Sequence, residues 1–164
     1  MNSILAREND HFACDGFATI ERFLDEHEVA KVRSDVNEAL MKPQDTCCSR
    51  PHNTLLPLRW KDGVVRLFLS SKYRMQRLRE VLNARDLKWI SGYVSVKDAN
   101  SPALWWHQDW WCWNHPISFR KTTSQVSVLC YLCDTTPQNG ALRVLAGSHH
   151  KSLPLHAFLP EAHF

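Results

Sequence analysis

The sequence lacks the features that would place the protein at a membrane or on nucleic acid. No apolar run approaches the roughly 20 residues that a membrane span needs, and the opening MNSILAREND has no signal-peptide centre. The 20 Lys and Arg residues against 17 Asp and Glu leave a net charge of only +3, and the positive residues are scattered. This pattern argues against a nucleic-acid partner. We therefore expect a soluble cytoplasmic protein that binds neither nucleic acid nor a membrane.

The sequence also lacks a zinc or disulfide pattern and any sign of division into domains. Cys130 and Cys133 form a C-x-x-C, but QVSVLCYLCD is typical of a strand, on which residues three apart point to opposite faces. No second cysteine pair stands at zinc-finger spacing. Repeats, low-complexity tracts and linkers are absent, so residues 1–164 are predicted to form a single domain.

Two segments have the apolar period of amphipathic helices. LDEHEVAKVRSDVNEALMK carries Asp25 as an N-cap and Glu28 three residues later, which is the spacing of a capping box. Its valines follow at steps of three and four residues, as on one face of a helix. SKYRMQRLREVLNAR is predicted to form a second helix.

Several short segments are predicted to form strands. In LKWISGYVSVKD, residues Ile90, Val94 and Val96 alternate onto one face. Asp62-Gly63 is typical of a hairpin turn between two strands. The further predicted strands are GFATI, LWWHQDW, QVSVLCYLC and ALRVLAGS. Helices followed by strands favour an α+β fold, in which helices brace an antiparallel sheet or barrel.

The stretch LWWHQDWWCWNHP contains the residues with the clearest chemistry. If it begins as a strand, His107 and Asp109 lie on the same face and Gln108 points away. An imidazole and a carboxylate so placed are two of the three ligands of a facial triad, which binds Fe(II) and leaves positions open for substrate and oxygen. The alternative is a hydrogen bond between His107 and Asp109 at the end of a strand.

Five tryptophans surround these two residues, and two interpretations of them stay open. They fill the core of a barrel, or some of them line a pocket that excludes water around an apolar substrate. Alternation puts Trp105 on the face of His107 and Trp106 on the other. Trp105 and Trp111 are the candidates for the pocket.

WWHQDW stands between DGFATIERFLDEHEVAKVRSDVNEAL and QNGALRVLAGSHHKS, and this order and spacing resemble the phytanoyl-CoA dioxygenase family. The resemblance runs from about Asp15 to about Leu153. It implies a double-stranded β-helix, the jelly-roll barrel also found in cupins, flanked by N-terminal helices. It also implies that His107 and Asp109 bind Fe(II), and that Tyr93 faces the cosubstrate 2-oxoglutarate.

The reaction that the resemblance implies is the hydroxylation of an aliphatic C–H bond in a small organic substrate. 2-Oxoglutarate chelates the iron, O2 takes the remaining position, and 2-oxoglutarate is decarboxylated to succinate, with ascorbate as a possible supporting reductant. The iron and the cosubstrate perform the oxidation, and the protein orients the reactants.

The sequence departs from the family pattern in ways that bear on activity. Ala146 stands where the motif usually has proline, and Leu129 where relatives often have an aromatic residue. The second histidine ligand and the basic residue that anchors 2-oxoglutarate lie in the family on strands beyond G-S-H. His149 and His150, within that motif, match a structural position. We therefore expect an N-terminal fragment, an incomplete barrel, that is inactive alone.

Two other classes of function stay open. One is a non-catalytic barrel whose aromatic groove binds a ligand by stacking, and the other is a cupin-like metal site that works without 2-oxoglutarate. Arg143 in ALRVL is expected to be exposed or to form a salt bridge. Neither the substrate nor the oligomeric state follows from the sequence.

Overall fold

The computed structural model of the chain describes residues 10–41, 53–104, 106–108, 115–116 and 125–150. Within these residues the elements follow in the order α1 (10–15), α2 (Glu26–Leu40), β1 (Asn53–Leu58), α3 (Gly63–Ser70), α4 (Lys72–Leu82) and β2 (Gly92–Lys97).

The chain divides into two compact units. Unit 1 consists of Met1–Thr19, Ala103–Tyr131 and Thr135–Phe164, and unit 2 of Ile20–Pro102 and Leu132–Asp134. The single domain expected over residues 1–164 stays a prediction.

In unit 2, α2 begins at the predicted capping box. The Glu28 amide donates to Asp25 Oδ1 at 2.7 Å, and the Asp25 amide donates to Glu28 Oε2 at 3.1 Å. These bonds satisfy backbone donors that the first turn of a helix leaves without partners. Val32, on the apolar face, is buried. The predicted helix is therefore confirmed, with its start fixed by its sequence.

A buried arginine connects the helices of unit 2. Arg74 of α4 is 5% exposed, and its guanidinium donates to Glu28 Oε2 at 2.6 Å and to Glu28 Oε1 at 2.7 Å. It also donates to the carbonyl oxygens of Phe23, Leu67 and Phe68 at 3.4, 3.0 and 3.4 Å. A charge this deeply buried is tolerated because each side of the guanidinium meets an acceptor.

β1 and β2 form a two-stranded antiparallel sheet in unit 2, with a register that runs from Asn53↔Lys97 to Leu58↔Gly92. Val94 and Val96 are half-buried, whereas Tyr93 and Lys97 on the opposite face are exposed. The alternation predicted for this strand is therefore confirmed from Gly92 onward.

Some predicted elements were wrong, and each error has a local cause. Residues 63–70 form helix α3 and not a strand, because Val65, Phe68 and Leu69 recur at helical spacing and Val65 is buried at 3% exposure. Ile90 was predicted to share a face with Val94 and Val96, but it is 65% exposed. It precedes β2, so the pairing of β1 with β2 does not determine its orientation.

The segments predicted as strands at residues 17–20, 125–133 and 141–148 contain no strand, because none of them pairs with a described neighbour. Of the predicted strand LWWHQDW, the described residues 104 and 106–108 are not in a strand either. The α+β class with an antiparallel sheet and helices is confirmed. The described residues do not confirm the double-stranded β-helix.

In unit 1, α1 ends at a glycine that no other residue could replace without strain. Gly16 has φ +84°, and its amide donates to Phe12 O at 3.0 Å, which is the left-handed termination typical of helices. A Cβ atom at Gly16 would lie 2.5 Å from the ring of His149. The Gly147 amide donates to Asp15 O at 2.8 Å, so the G-S-H turn is fixed to the end of this helix.

Replacing Gly16 with alanine is expected to lower the free energy of unfolding by about 2 to 4 kcal/mol, because left-handed backbone strain adds to overpacking against His149. Gly140→Ala is the matched control, since Gly140 also has a positive φ (+98°) but nothing within 4 Å of its Cβ position. Urea unfolding of both variants measures the difference. Equal losses would show that the contact with His149 contributes nothing.

No helix in the described part of the chain is long and apolar enough to cross a membrane.

Candidate functional site

The H-Q-D segment of unit 1 is anchored on the G-S-H turn. Gln108 Nε2 donates to the carbonyl oxygen of Ser148 at 2.9 Å, across 40 residues of sequence. Trp106 and Gln108 are half-buried, and His107 between them is exposed. The two motifs that the sequence analysis pairs are therefore in direct contact, and the imidazole of His107 is open to solvent.

The segment before the G-S-H turn is held by side chains of the same unit. The Tyr131 hydroxyl accepts a hydrogen bond from the Leu142 amide at 2.9 Å. Residues 136–141 form a turn, in which the Asn139 and Ala141 amides both donate to Thr136 O. Arg143 places its guanidinium carbon 5.4 Å from the centre of the Trp106 ring, within the range of a cation–π contact.

His149 has the environment of a structural residue, as expected for its place in the motif. Its Nε2 lies 3.2 Å from Ala13 O, and because a carbonyl only accepts, Nε2 carries the proton. Its Nδ1 is buried without a hydrogen-bond partner in the described part of the chain, and its ring lies 3.8 Å from that of His150. Burial, with the neighbouring His150, lowers the pKa of His149 below its usual 6.5.

The lowered pKa of His149 predicts a loss of stability in acid. The unfolded chain takes up a proton near pH 6.5 that the folded chain resists, so stability is fully present above that pH and falls as the pH drops toward the folded-state pKa. We expect His149→Gln to flatten the dependence of unfolding free energy on pH between about 7 and 5. His27→Gln, at an exposed histidine, is the control; an equally flattened profile there would contradict the prediction.

Of the two predicted iron ligands, the structure describes only His107. Imidazole and carboxylate are the ligand types of the Fe(II) facial triad, and His107 is accessible. Asp109, Trp105 and Trp111 lie outside the described residues. Among the described residues, no group of three histidine, cysteine, aspartate or glutamate side chains could hold a metal ion.

Tyr93, the residue expected to face 2-oxoglutarate, belongs to unit 2. It lies on the exposed face of β2, where 63% of it is accessible. Its role toward the cosubstrate stays a prediction, and so do the roles of His107 and Asp109 as ligands and of Trp105 and Trp111 as pocket residues.

Comparison with known proteins places the chain in a class of oxygenases. The model of the phytanoyl-CoA dioxygenase (PhyH) family matches residues 12–163. The chain therefore belongs to the phytanoyl-CoA dioxygenase family, whose enzymes are generally dependent on Fe(II) and 2-oxoglutarate.

A curated relative is similar over a shorter segment. L-proline trans-4-hydroxylase of Streptomyces griseoviridis is 36% identical over 61 residues, which are 37% of this chain and 22% of that enzyme. The match thus spans less than a quarter of the length of the relative. No solved structure matches the chain.

Two of the contacts that organise this region were not predicted from the sequence. Gln108 was treated only as the residue that points away from His107, yet its amide makes the bond to Ser148. Arg143 was expected to be exposed or salt-bridged, and it is exposed but lies over Trp106. The sequence signal for both contacts was the predicted alternation, which put Trp106 and Gln108 on one face. Both side chains are half-buried.

Proposed function

We propose that the chain supplies part of the active site of an Fe(II)/2-oxoglutarate-dependent dioxygenase that hydroxylates an aliphatic C–H bond of a small organic substrate. The observation that carries the proposal is the hydrogen bond from Gln108 to Ser148 O, which joins the H-Q-D segment to the G-S-H turn. Membership of the family supports the class of reaction.

In this proposal, His107 and Asp109 hold the iron. The bound iron and 2-oxoglutarate would supply the oxidation chemistry. Gln108 fixes the backbone of the H-Q-D segment against the turn, because its side chain is tied to Ser148 O while His107 stays exposed. Such orientation matters, since residues that only position a ligand affect metal affinity by about 10- to 100-fold.

The other predicted residues have supporting roles in the proposal. Trp105 and Trp111 line the substrate pocket and keep water from the reacting C–H bond. Tyr93 orients 2-oxoglutarate. The relative that acts on L-proline makes a small amino acid the first substrate class to test.

We further propose that the complete barrel is a double-stranded β-helix, in which residues 125–131 and 141–145 pack against strands that follow the G-S-H motif. Both segments expose large apolar side chains that a complete barrel would bury: Val128, Leu129, Tyr131, Leu142, Val144 and Leu145. Those later strands would also carry the third iron ligand and the basic residue that anchors 2-oxoglutarate. Without those strands, the 164 residues are expected to give no turnover.

Incubation with Fe(II), ascorbate and 2-oxoglutarate tests the proposal. We expect no succinate above background from the 164-residue chain, and succinate from a chain that continues through strands bearing a histidine and an arginine. Succinate from the shorter chain would contradict the proposed need for those strands. A longer chain that binds iron but neither binds nor consumes 2-oxoglutarate would contradict the proposed reaction and favour a cupin-like site.

A further inference from the structure

We propose that Arg143, supported by the ring of Trp106, is a binding site for the carboxylate of a small organic acid. Trp106 directly precedes His107 in the sequence. This inference rests on the proposed function only where it places the acid beside the iron. The binding itself requires neither iron nor turnover.

The guanidinium of Arg143 contacts an aromatic ring and not a carboxylate of the described residues. The guanidinium carbon lies 5.4 Å from the centre of the Trp106 ring. Arg143 is exposed, and no described residue forms an ion pair with it. A guanidinium carries five N–H donors in one plane. A contact with an aromatic ring does not use the N–H donors as an ion pair would, so they are available for a ligand.

The neighbours of Arg143 restrict its position. Trp106 is half-buried beside Gln108, whose amide is bonded to Ser148 O. The residue before Arg143 is held by the bond from the Leu142 amide to the Tyr131 hydroxyl. A side chain that is already oriented loses less conformational entropy when a ligand binds.

The geometry of a single guanidinium indicates which anion it can bind. Arg143 is the only lysine or arginine among the described residues of unit 1. A single guanidinium matches a carboxylate, which carries one negative charge and accepts two parallel N–H bonds. The site is therefore suited to a carboxylate.

Two acids could provide this carboxylate, and the chemistry of recognition is the same for both. One is the organic substrate. The other is 2-oxoglutarate, whose binding here would put its anchor at Arg143 and not on the later strands. Either way, Arg143 is a residue that orients a reactant, not one that takes part in the chemical step.

The test is a titration of the 164-residue chain with 15N-labelled arginine, without iron, followed through the Arg143 Nε–Hε signal. The signal is assigned by its loss in Arg143→Lys. L-Proline, 2-oxoglutarate and acetate are the probes, L-prolinamide and acetamide are the uncharged controls, and inorganic phosphate tests for unselective anion binding. Arg85, an exposed arginine of unit 2, is the internal reference.

We expect the Arg143 signal to shift saturably with at least one carboxylate while Arg85 stays unchanged. Tighter binding of L-proline would assign the site to the substrate, and tighter binding of 2-oxoglutarate would assign it to the cosubstrate. Arg143→Gln should weaken that binding about tenfold or more, because a charge-assisted bidentate contact is lost. Trp106→Phe should weaken it less than Trp106→Leu, since phenylalanine keeps an aromatic face.

Three results would overturn the inference: an Arg143 signal that moves no more than that of Arg85, equal shifts with the amides, or phosphate binding as tight as that of the acids. Because the titration contains no iron, it separates the two proposals. Carboxylate binding without turnover in a longer chain would count against the proposed function alone, and turnover that is unaffected by Arg143→Gln would count against this site alone.

Discussion

Replacing Glu28 with glutamine is expected to lower the free energy of unfolding by about 2 to 4 kcal/mol, because the substitution leaves the buried charge of Arg74 without its counterion. Arg74 is 5% exposed, and both of its terminal nitrogens lie within 2.7 Å of the Glu28 carboxylate. Glutamine keeps an oxygen that can still accept from the Asp25 amide. The variant therefore tests the ion pair more than the helix cap.

Asp35→Asn is the matched control for this variant, since Lys31 and Asp35 form an exposed pair at 3.4 Å on the same helix. An exposed pair contributes about 0 to 1 kcal/mol. The double variant Glu28→Gln/Arg74→Met should recover part of the loss, because it removes both charges. Urea unfolding compares all three. A loss for Glu28→Gln no larger than that for Asp35→Asn would contradict the role of the buried pair.

The same pair predicts a response to acid. The hydrogen bond from Arg74 lowers the pKa of Glu28 below its usual 4.5. A carboxylate with a lowered pKa contributes stability that is present above the unfolded-state value and is lost as the pH falls through the folded-state pKa. The loss measured for Glu28→Gln should therefore shrink as the pH drops below about 4.5.

Replacing His107 with alanine is expected to reduce iron affinity by more than about 100-fold. The loss of a residue that only orients a ligand reduces metal affinity by about 10- to 100-fold, and His107 is proposed to be a ligand itself. The variant should be made in a chain that includes the strands proposed to complete the site. His107 is exposed, so the free energy of unfolding should change by no more than about 0.5 kcal/mol. Anaerobic calorimetry with Fe(II) and thermal unfolding measure the two quantities.

His115→Ala provides a control for the loss of an exposed histidine near the same segment. It should leave iron affinity unchanged. If His107→Ala and His115→Ala reduce affinity equally, or if neither does, His107 is not a ligand.

The helices that the sequence predicted correctly are those with local signals. The capping box of Asp25 and Glu28 specifies where α2 begins, because both bonds are made within four residues. The start of α3 was wrongly predicted because Asp62-Gly63 also suits a hairpin turn, and a short, mostly apolar segment fits either a helix or a strand. Burial of Val65 in unit 2 favours the helix, and burial depends on the tertiary structure.

The strands show what periodicity cannot determine. Alternation correctly predicted the two faces of β2, whose pairing with β1 is present among the described residues. The same kind of pattern at residues 125–131 does not give a strand there, since a strand also needs a neighbour to pair with. For the candidate site, the sequence identified the two motifs. The bond that joins them depends on Gln108, whose amide has no distinctive spacing.

The most direct test of the proposed iron site is an anaerobic titration of Fe(II) into the longer chain, with and without 2-oxoglutarate, followed by visible absorption. We predict a charge-transfer band that requires both additions and disappears in His107→Ala and in Asp109→Ala. An unchanged band in either variant, or iron binding that is indifferent to 2-oxoglutarate, would contradict the assignment of these two residues.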